Sequence, residues 1–173
     1  YALQSPGKRV RPALLLAAYR AVGGRDPAID GVATAIEIVH TYSLVHDDLP
    51  CMDDDDLRRG RLTTHRAYDV ATATRVGYLL VPFAAEVLAA SGAALALPPA
   101  VVGRMACELF EAGGIGGMAG GQWRDLEAEG ALLDLERLRT VHQGKTGALI
   151  RASVVLGAIA GGANEMALTA LRE

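Results

Sequence analysis

The sequence predicts an all-α protein, and three observations support that prediction. Ala and Leu dominate a composition that is 51% hydrophobic, and both residues favour helices. No segment alternates apolar and polar residues with the period of two that a half-buried strand requires. Links rich in Gly or Pro separate apolar stretches of helical length. With 173 residues the chain can bury a sizeable core, so we predict one domain over residues 1–173.

The predicted helices follow one another with ordinary start and stop signals. Gly23-Gly24 ends the first helix, and Pro50 turns the chain after the second. Pro98-Pro99 falls in a first helical turn, where proline is tolerated, and Asp134 is a suitable N-cap. We predict helices over residues 8–22, 29–49, 67–91, 98–129 and 134–160, with another beginning near residue 164.

The net charge and the apolar runs restrict where the protein acts. A net charge of −3 gives no general attraction to nucleic acid or to an anionic membrane, so we expect no nucleic-acid partner. The run from Val76 to Leu97 approaches the length of a membrane-spanning helix, but Pro82 interrupts it and Glu86 lies near its middle. We therefore predict a buried helix of a soluble protein and no membrane span. Two cysteines are too few for a disulfide framework and fit a reducing cytoplasm.

A glycine-rich segment at residues 113–121 admits two interpretations. A phosphate-binding P-loop would follow a strand and end in Gly-Lys-Ser/Thr, whereas Gly121 is followed by Gln122 and Trp123. Close helix packing or a weakened helix is the simpler interpretation, since each helical Gly costs about 1 kcal/mol relative to Ala. We therefore expect a structural role for this segment.

The strongest chemical signal is the run HDDLPCMDDDDLRRG at residues 46–60. His40, Ser43 and Asp47 recur at three and four residues and share one helix face. The Leu-Pro pair at 49–50 ends the helix, so the chain can return Asp53 beside Asp47. Clustered carboxylates of this kind suit Mg²⁺, which bridges to substrate phosphates. The two arginines that follow, at 58 and 59, can grip phosphate oxygens in a forked geometry.

Other sites account for this run less well. A calcium EF-hand counted from Asp47 would need Gly and Glu where the chain has Met52 and Arg58. A zinc site would need more His or Cys ligands, and His40 and His46 do not share a helix face. A merely solvated acidic loop stays open, although the apolar helix before it and the Arg-Arg pair after it disfavour that interpretation.

Two basic segments lie at a distance from the aspartates. In GKRVRP, at residues 7–12, Lys8 and Arg11 are three apart and can face the same way at a helix start. A helix N-terminus carries partial positive charge and binds anions, so cations there suggest an anionic ligand; an ordinary basic first turn is the alternative. The tripeptide Lys145-Thr146-Gly147 carries no signal by itself.

Together these segments resemble the polyprenyl synthetase family of trans-prenyl diphosphate synthases, and within it the bacterial farnesyl and geranylgeranyl diphosphate synthases. GKRVRP is similar to the family's isopentenyl diphosphate motif, and residues 46–60 to its first aspartate-rich motif. GGQWRDLEAEG at 120–130 and KTGALIRA at 145–152 are similar to two further family segments. The four occur in the family's order along essentially the whole chain.

The resemblance implies an isoprenoid synthase helical bundle around a deep cavity, usually a homodimer. It implies a transferase that uses Mg²⁺ to join isopentenyl diphosphate to dimethylallyl, geranyl or farnesyl diphosphate. Asp47 and Asp53, assisted by Asp48, would bind the Mg²⁺ on the allylic diphosphate. The implied substrate contacts are Arg58 for the allylic diphosphate, Lys8, Arg9, Arg11, His40 and Arg59 for isopentenyl diphosphate, and Thr146, Gln122 and the catalytic Lys145 beside the reacting atoms.

The sequence also departs from the family's pattern. The second aspartate-rich motif, near Asp-Asp-x-x-Asp, and the N-terminal helix are absent, so we expect a domain that is incomplete at both ends. Tyr78 stands where many members carry Asp. The alternative is a non-catalytic or truncated homologue that binds diphosphates or a partner subunit. Terpene cyclases and head-to-head synthases also use aspartate-rich sites, but they have no need of the GKRVRP segment.

Two residues before the aspartates bear on product length. Tyr42 and Ser43 precede Asp47 by five and four residues, roughly one turn below the metal site at about 1.5 Å per residue. In the family, a large aromatic at the Tyr42 position with two extra residues between the aspartates resembles the bacterial farnesyl type. Ideal helical geometry places Ser43 near the Asp47 face and Tyr42 about 140° away. We expect farnesyl ahead of geranylgeranyl diphosphate; a plain core aromatic is the other interpretation of Tyr42.

Overall fold

The computed structural model describes residues 1–130 and 132–172, and the described chain is predominantly helical. Its helices are α1 (Val10–Ala21), α2 (Ile29–Asp47), α3 (Thr64–Ala67), α4 (Val70–Ala94), α5 (Pro99–Gly113), α6 (Met118–Glu127), α7 (Leu135–His142), a π-helix (Gln143–Gly147), α8 (Ala148–Ala160) and α9 (Glu165–Ala170). The predicted all-α class is confirmed.

The helices form one bundle with α2 near its centre. Helix α2 packs along α4, while α1 packs along α8, and α5 packs against α8. Aliphatic side chains fill the space between them, and each fully buried one stabilises the fold by about 1.5–3 kcal/mol. The largest of these side chains are Leu15, Ile36, Ile38, Leu88, Met105, Leu109, Leu149 and Leu156. The first and second predicted helices agree with α1 and α2 to within two residues.

The predicted helix over 98–129 is wrong in one respect, because the chain breaks between α5 and α6. Helix α5 ends at Gly113, and α6 begins at Met118. A Cβ on Gly117 would lie 2.1 Å from the Ala112 carbonyl oxygen, and one on Gly120 would lie 1.8 Å from that of Ile115. No side chain fits at these approaches, so the glycines serve the tight turn that separates the two helices. Their role is structural, as the sequence predicted.

The predicted helix over 134–160 is also divided. Asp134 caps α7 by accepting a hydrogen bond from the Arg137 backbone N–H at 2.8 Å. The next turn, Gln143–Gly147, is a π-helix that joins α7 to α8, and the residues on either side of it keep the right-handed helical conformation. A π turn inserts one extra residue and changes which side chains face the bundle, and such insertions are frequent at functional sites. Periodicity counted at 3.6 residues per turn does not detect it.

The predicted helix over 67–91 starts later and ends later than the sequence indicated. Asp69 caps α4 through the Thr72 backbone N–H at 2.6 Å, and the short helix α3 precedes it. The link between α2 and α3 contains a small hairpin that the sequence did not indicate. Strands β1 (Leu57–Arg58) and β2 (Arg61–Leu62) pair antiparallel across a two-residue turn. Both turn residues, Arg59 and Gly60, have positive φ, as a type I′ turn requires.

Helix α4 is less buried than predicted. Ala84 and Leu88 face the core, but Tyr78, Leu79 and Phe83 are 74%, 61% and 43% exposed. Only 33% of its most apolar stretch is buried. In the part of the chain that the structure describes, α4 is the one helix long and apolar enough to cross a membrane, a test that core helices of soluble proteins also pass. The absence of a membrane span stays a prediction.

Candidate active site

The end of α2 brings two carboxylates together by local backbone geometry. Asp47 is the last residue of α2, and the chain turns at Pro50. The backbone N–H of Asp53 then donates to the Asp47 carbonyl oxygen at 2.8 Å, and that of Asp54 donates to the Leu49 carbonyl oxygen at 3.1 Å. These bonds close the loop and place Asp53 beside Asp47, as the Leu-Pro break predicted.

Asp47 is held in an environment that disfavours its charge. Burial and the nearby Asp53 carboxylate raise the pKa of Asp47 to about 6, while Lys145 and Arg58 act in the opposite direction. Two neighbouring carboxylates, one half-buried (Asp47) and one exposed (Asp53), repel each other less when a cation lies between them. Mg²⁺ is bound by one or two carboxylates together with waters and phosphates, so this pair fits it. Within residues 1–130 and 132–172, no three His, Cys, Asp or Glu side chains converge on one point.

Gln122 on α6 reaches the same carboxylate pair. Its Nε2 donates to Asp53 Oδ1 at 3.0 Å, and the side chain is only 5% exposed. Its Oε1 is buried without a hydrogen-bond partner, which costs free energy unless a ligand or water donates to it. Helix α6 thus orients Asp53 and leaves an acceptor free at the site.

Lys145 projects from the π-helix toward this region. Its Nζ lies 2.5 Å from Asp125 Oδ2 on α6, and its charge also lowers the pKa of Asp47. A Cβ on Gly121 would lie 2.0 Å from the Lys145 backbone nitrogen, so α6 and the π-helix are in backbone contact there. The side chains of both elements line an open cavity of about 510 Å³, whose walls are Asp125, His142, Gln143, Lys145, Thr146 and Gly147. Asp125 is not among the site residues predicted from the sequence; its position one turn after Gln122, on the same helix face, is the signal that could indicate it.

Asp48 occupies a different position from the metal ligand that the sequence predicted. It is 3% exposed, and its Oδ1 accepts a hydrogen bond from Arg58 Nε at 2.5 Å. Asp48 follows the last residue of α2, and its charge raises the pKa of Asp47 less than the charge of Asp53 does. Arg58 also donates to Asp55 at 3.1 Å. The structure therefore commits Asp48 to holding Arg58.

The basic residues gather around His40, which lies two turns before Asp47 on α2. The pKa of His40 is lowered to about 3, chiefly by burial. The positive charges of Arg11, Arg59, Arg58 and Arg9 lower it further, in that order. Burial also lowers the pKa of Arg11. Arg11 Nε and His40 Nδ1 are both buried without partners. A half-buried cationic cluster with unsatisfied nitrogens is a site for an anion.

Arg9 and Arg59 are tied to the chain before α1, while Lys8 is exposed beside them. The Nη1 atom of Arg9 lies 2.6 Å from Glu37 Oε1, and its Nη2 atom donates to the Ser5 carbonyl oxygen at 3.0 Å. The Nη1 atom of Arg59 donates to the Pro6 carbonyl oxygen at 2.6 Å. Arg9 was predicted to contact substrate, but the structure directs its guanidinium to Glu37, a residue that the sequence analysis missed.

Tyr42 and Ser43 diverge from the end of α2. The Tyr42 hydroxyl donates to the Gly113 carbonyl oxygen of α5 at 3.3 Å, and its ring meets His46 edge-on at 5.8 Å. Burial, and then the Asp47 charge, raise the pKa of Tyr42, so the phenol lies within electrostatic reach of the carboxylate pair. Ser43 is buried and donates back to the His40 carbonyl oxygen of its own helix at 2.9 Å. Of these two residues, Tyr42 is therefore the one whose side chain extends from α2 to α5.

Thr63 and His65 stabilise the end of the acidic loop that leads into the hairpin and α3. Neither was predicted from the sequence as a site residue. They are 2% and 6% exposed. The Thr63 hydroxyl donates to the Asp55 carbonyl oxygen at 2.8 Å and lies 3.2 Å from His65 Nδ1. Two buried polar side chains directly after a hairpin fix the far end of the loop that carries Asp53.

The burial of His40 predicts an acid sensitivity. Folded His40 takes up a proton only near pH 3, whereas the unfolded residue does so below its ordinary pKa of 6.5. Acid therefore favours the unfolded state, and the free energy of unfolding falls as pH drops from 6.5 toward 3. In His40→Gln this fall between pH 6.5 and pH 4.5 should be smaller by about 2 kcal/mol, as measured by urea denaturation at the two pH values.

Exposed His142 provides the matched control for this prediction. His142→Gln should keep the pH dependence of the unmodified protein. Parallel pH profiles for His40→Gln and the unmodified protein would contradict the placement of His40 as a buried neutral imidazole.

Comparison with known proteins decides the family. The sequence profile of the family described as Polyprenyl synthetase matches residues 1–173.

This chain belongs to the polyprenyl synthetase family.

Curated polyprenyl synthetases of both product lengths are similar to it. The chain is 46% identical over 165 residues to the farnesyl diphosphate synthase of Geobacillus stearothermophilus, covering 95% of this chain and 55% of that protein. It is 46% identical over 173 residues to the chloroplastic geranylgeranyl pyrophosphate synthase of Capsicum annuum, covering 99% of this chain and 46% of that protein. The chain thus spans about half the length of these relatives.

Solved structures of two geranyltransferases share the fold. The structure superimposes on the geranyltransferase of Legionella pneumophila with a TM-score of 0.92 at 43% identity, over 99% of this chain and 61% of that one. The geranyltransferase of Helicobacter pylori 26695 gives a TM-score of 0.91 at 37% identity, over 99% and 60%. The helical bundle expected from the family resemblance is confirmed.

Proposed function

We propose that this protein condenses isopentenyl diphosphate with an allylic diphosphate in a Mg²⁺-dependent prenyl transfer that yields farnesyl or geranylgeranyl diphosphate. One observation carries the proposal: the acidic pair Asp47 and Asp53 lies at the end of α2, and the basic cluster gathers about His40 on the same helix. His40 precedes Asp47 by seven residues, about 10.5 Å along the helix at 1.5 Å per residue. Two diphosphates held at these places would meet with their prenyl chains between them.

The carboxylate pair fits the role of metal ligand. Asp47 and Asp53 would hold Mg²⁺, with Gln122 keeping Asp53 in place. When bound, Mg²⁺ neutralises the charge that develops on the departing pyrophosphate. Arg58, fixed by Asp48, would donate to the same allylic diphosphate, and Lys145 lies close enough to influence Asp47. Thr146 lines the same cavity as Lys145.

The basic cluster fits isopentenyl diphosphate. Lys8, Arg11 and Arg59 would supply cationic donors, and His40, neutral at physiological pH because its pKa is about 3, would supply one N–H. In the proposed reaction the allylic C–O bond breaks, and the isopentenyl double bond attacks the resulting carbon. A proton then leaves the new C–C product, and the released pyrophosphate accepts it. Apolar walls would keep water away from the cation.

Tyr42 is proposed to limit product length, because its ring extends from α2 to the end of α5. Tyr42→Ala would remove the ring and open space beyond the allylic tail. We expect the main product to gain at least one five-carbon unit, measured by mass spectrometry of dephosphorylated products. Tyr68→Ala, at a 59% exposed tyrosine, is the matched control and should leave the product unchanged. An unaltered product in Tyr42→Ala would remove this tyrosine as the floor of the cavity.

We also propose a reducing, cytoplasmic setting, because Cys51 and Cys107 are free thiols.

We further propose a homodimer. The exposed apolar side chains Leu79 and Phe83 on α4 are suitable for burial against a second copy. Sedimentation of the full-length protein at micromolar concentration should give the mass of two chains. A single-chain mass would reject the dimer.

The function is tested by product analysis. The full-length protein, supplied with Mg²⁺ and isopentenyl diphosphate, receives dimethylallyl, geranyl or farnesyl diphosphate in turn, and products are identified by mass spectrometry. Elongated prenyl diphosphate is the expected result. A folded protein that binds diphosphate but forms no product would instead support the non-catalytic alternative.

A further inference from the structure

Glu37 is a carboxylate set among cations. It lies on α2 one turn before His40, and its side chain is 15% exposed. Its Oε1 is 2.6 Å from NH1 of Arg9, and its charge raises the pKa of Arg11, opposing the effect of burial. A negative charge beside an anion site weakens anion binding by simple electrostatics. Electrostatics alone therefore does not explain why a carboxylate occupies this position, and the reason is geometric.

That reason lies in the backbone of Arg9. Arg9 adopts a left-handed conformation with φ of 50° and ψ of 36°, which costs an L-residue about 1–2 kcal/mol. It is the N-cap of α1, yet no side chain caps the helix there. The Arg9 carbonyl oxygen accepts the hydrogen bond from the Ala13 backbone N–H at 3.0 Å that opens the helix. The conformation of Arg9 thus sets where α1 begins.

Two hydrogen bonds hold the Arg9 guanidinium, and a third holds the chain just before it. Glu37 and the Ser5 carbonyl oxygen each accept a hydrogen bond from one nitrogen of the guanidinium. Arg59 donates to the Pro6 carbonyl oxygen, and a Cβ on Gly7 would lie 2.3 Å from Arg59 Nη1 and 2.6 Å from Arg9 Nη1. The chain before α1 is therefore clamped between two guanidiniums, and Glu37 is the part of the clamp that belongs to α2.

We propose that Glu37 is a positioning residue that holds Arg9 in its left-handed turn and thereby aligns Lys8 and Arg11 for a diphosphate. Arg9 then acts through the Glu37 pair and does not itself contact the ligand. The inference rests on the proposed function only in naming the ligand as the diphosphate of isopentenyl diphosphate. Glu37 links the helix that carries His40 to the helix start that carries the cations.

The test uses Glu37→Gln, Arg9→Gln and the double variant in the full-length protein. Each single variant should raise the KM for isopentenyl diphosphate about 10-fold, with kcat and the KM for the allylic substrate changed less than about twofold. The double variant should be no worse than the more affected single variant, because both changes break one clamp. Glu165→Gln, which removes a surface pair with Arg104, is the matched control and should leave all constants unchanged.

The opposite outcomes are distinct. A KM that stays constant or falls in Glu37→Gln overturns the proposal, and a fall would mean that the charge effect prevails over positioning. Multiplying effects in the double variant also overturn it, because Arg9 would then contact the substrate directly. Since catalysis could fail separately, the dissociation constant for inorganic pyrophosphate is measured by calorimetry on the same proteins. This dissociation constant should rise about 10-fold in Glu37→Gln, even if the protein is inactive. An unchanged constant overturns the proposal, and so does an unmodified protein that binds no pyrophosphate.

Discussion

Replacing Asp47 by Asn should abolish Mg²⁺-dependent prenyl transfer in the full-length protein. The change removes the charge that would bind the metal while keeping the size of the side chain. We expect kcat to fall at least about 10³-fold, equivalent to about 4 kcal/mol of transition-state stabilisation. Steady-state kinetics with varied Mg²⁺ measures it. Asp30→Asn, at the opposite and exposed end of α2, is the control and should retain full turnover.

The same variant should be more stable than the unmodified protein when no metal is present. Folded Asp47 has a pKa of about 6 against its usual 3.8, so this carboxyl stabilises the fold below pH 3.8 and loses that contribution as pH rises through 6. Asn carries no charge and avoids this loss. At pH 7.5 we expect a gain of about 1 kcal/mol in urea denaturation with chelator present. Turnover comparable to that of the unmodified protein would refute the assignment of Asp47 as a metal ligand. If the variant and the unmodified protein each had the same stability at pH 5 as at pH 7.5, the burial argument would be refuted.

The second large effect is expected at Gly121. An Ala Cβ there would lie 2.0 Å from the Lys145 backbone nitrogen and 2.6 Å from the Gly144 carbonyl carbon. Both are backbone atoms, so no rotamer change relieves the clash, and α6 must separate from the π-helix. We expect Gly121→Ala to lower the free energy of unfolding by about 2–3 kcal/mol in chemical denaturation. Because Lys145 would move with its backbone, turnover should fall as well.

Gly103 supplies the matched control for this change. It lies on the exposed side of α5, and nothing stands within 4 Å of a Cβ built on it. Gly103→Ala should be neutral or stabilise the helix by up to about 1 kcal/mol, since Ala has the higher helix propensity. Equal effects of the two substitutions would show that α6 and the π-helix are not in the backbone contact described above.

Much of the candidate site was accessible from sequence because it is local. The Leu-Pro break after Asp47 and the return of Asp53 depend on turn chemistry over seven residues, and the hydrogen bond between their backbones matches that expectation. The acidic and basic segments also carry distinctive residue types that few other functions require. Family resemblance then supplied the roles that residue types alone do not define.

Errors arose where the helical period changed or where a charged residue found a distant partner. Gly117 and Gly120 serve the tight turn that breaks one predicted helix, and the π-helix changes which side chains after Gln143 face the bundle. Asp48 was grouped with Asp47 because they are neighbours in sequence, but its burial directs it to Arg58. Helix α4 looked buried because it is apolar, yet apolar composition does not say which face is covered.

The sequence by itself determined the all-α class, the end of α2 and the pairing of Asp47 with Asp53, because hydrophobic periodicity and proline chemistry act over a few residues. The tertiary structure alone decided which distant side chains complete the site. Gln122 meets Asp53 across 69 residues of sequence, and Arg9 meets Glu37 across 28. Such pairs form only when helices pack, and packing depends on the shapes of many side chains at once.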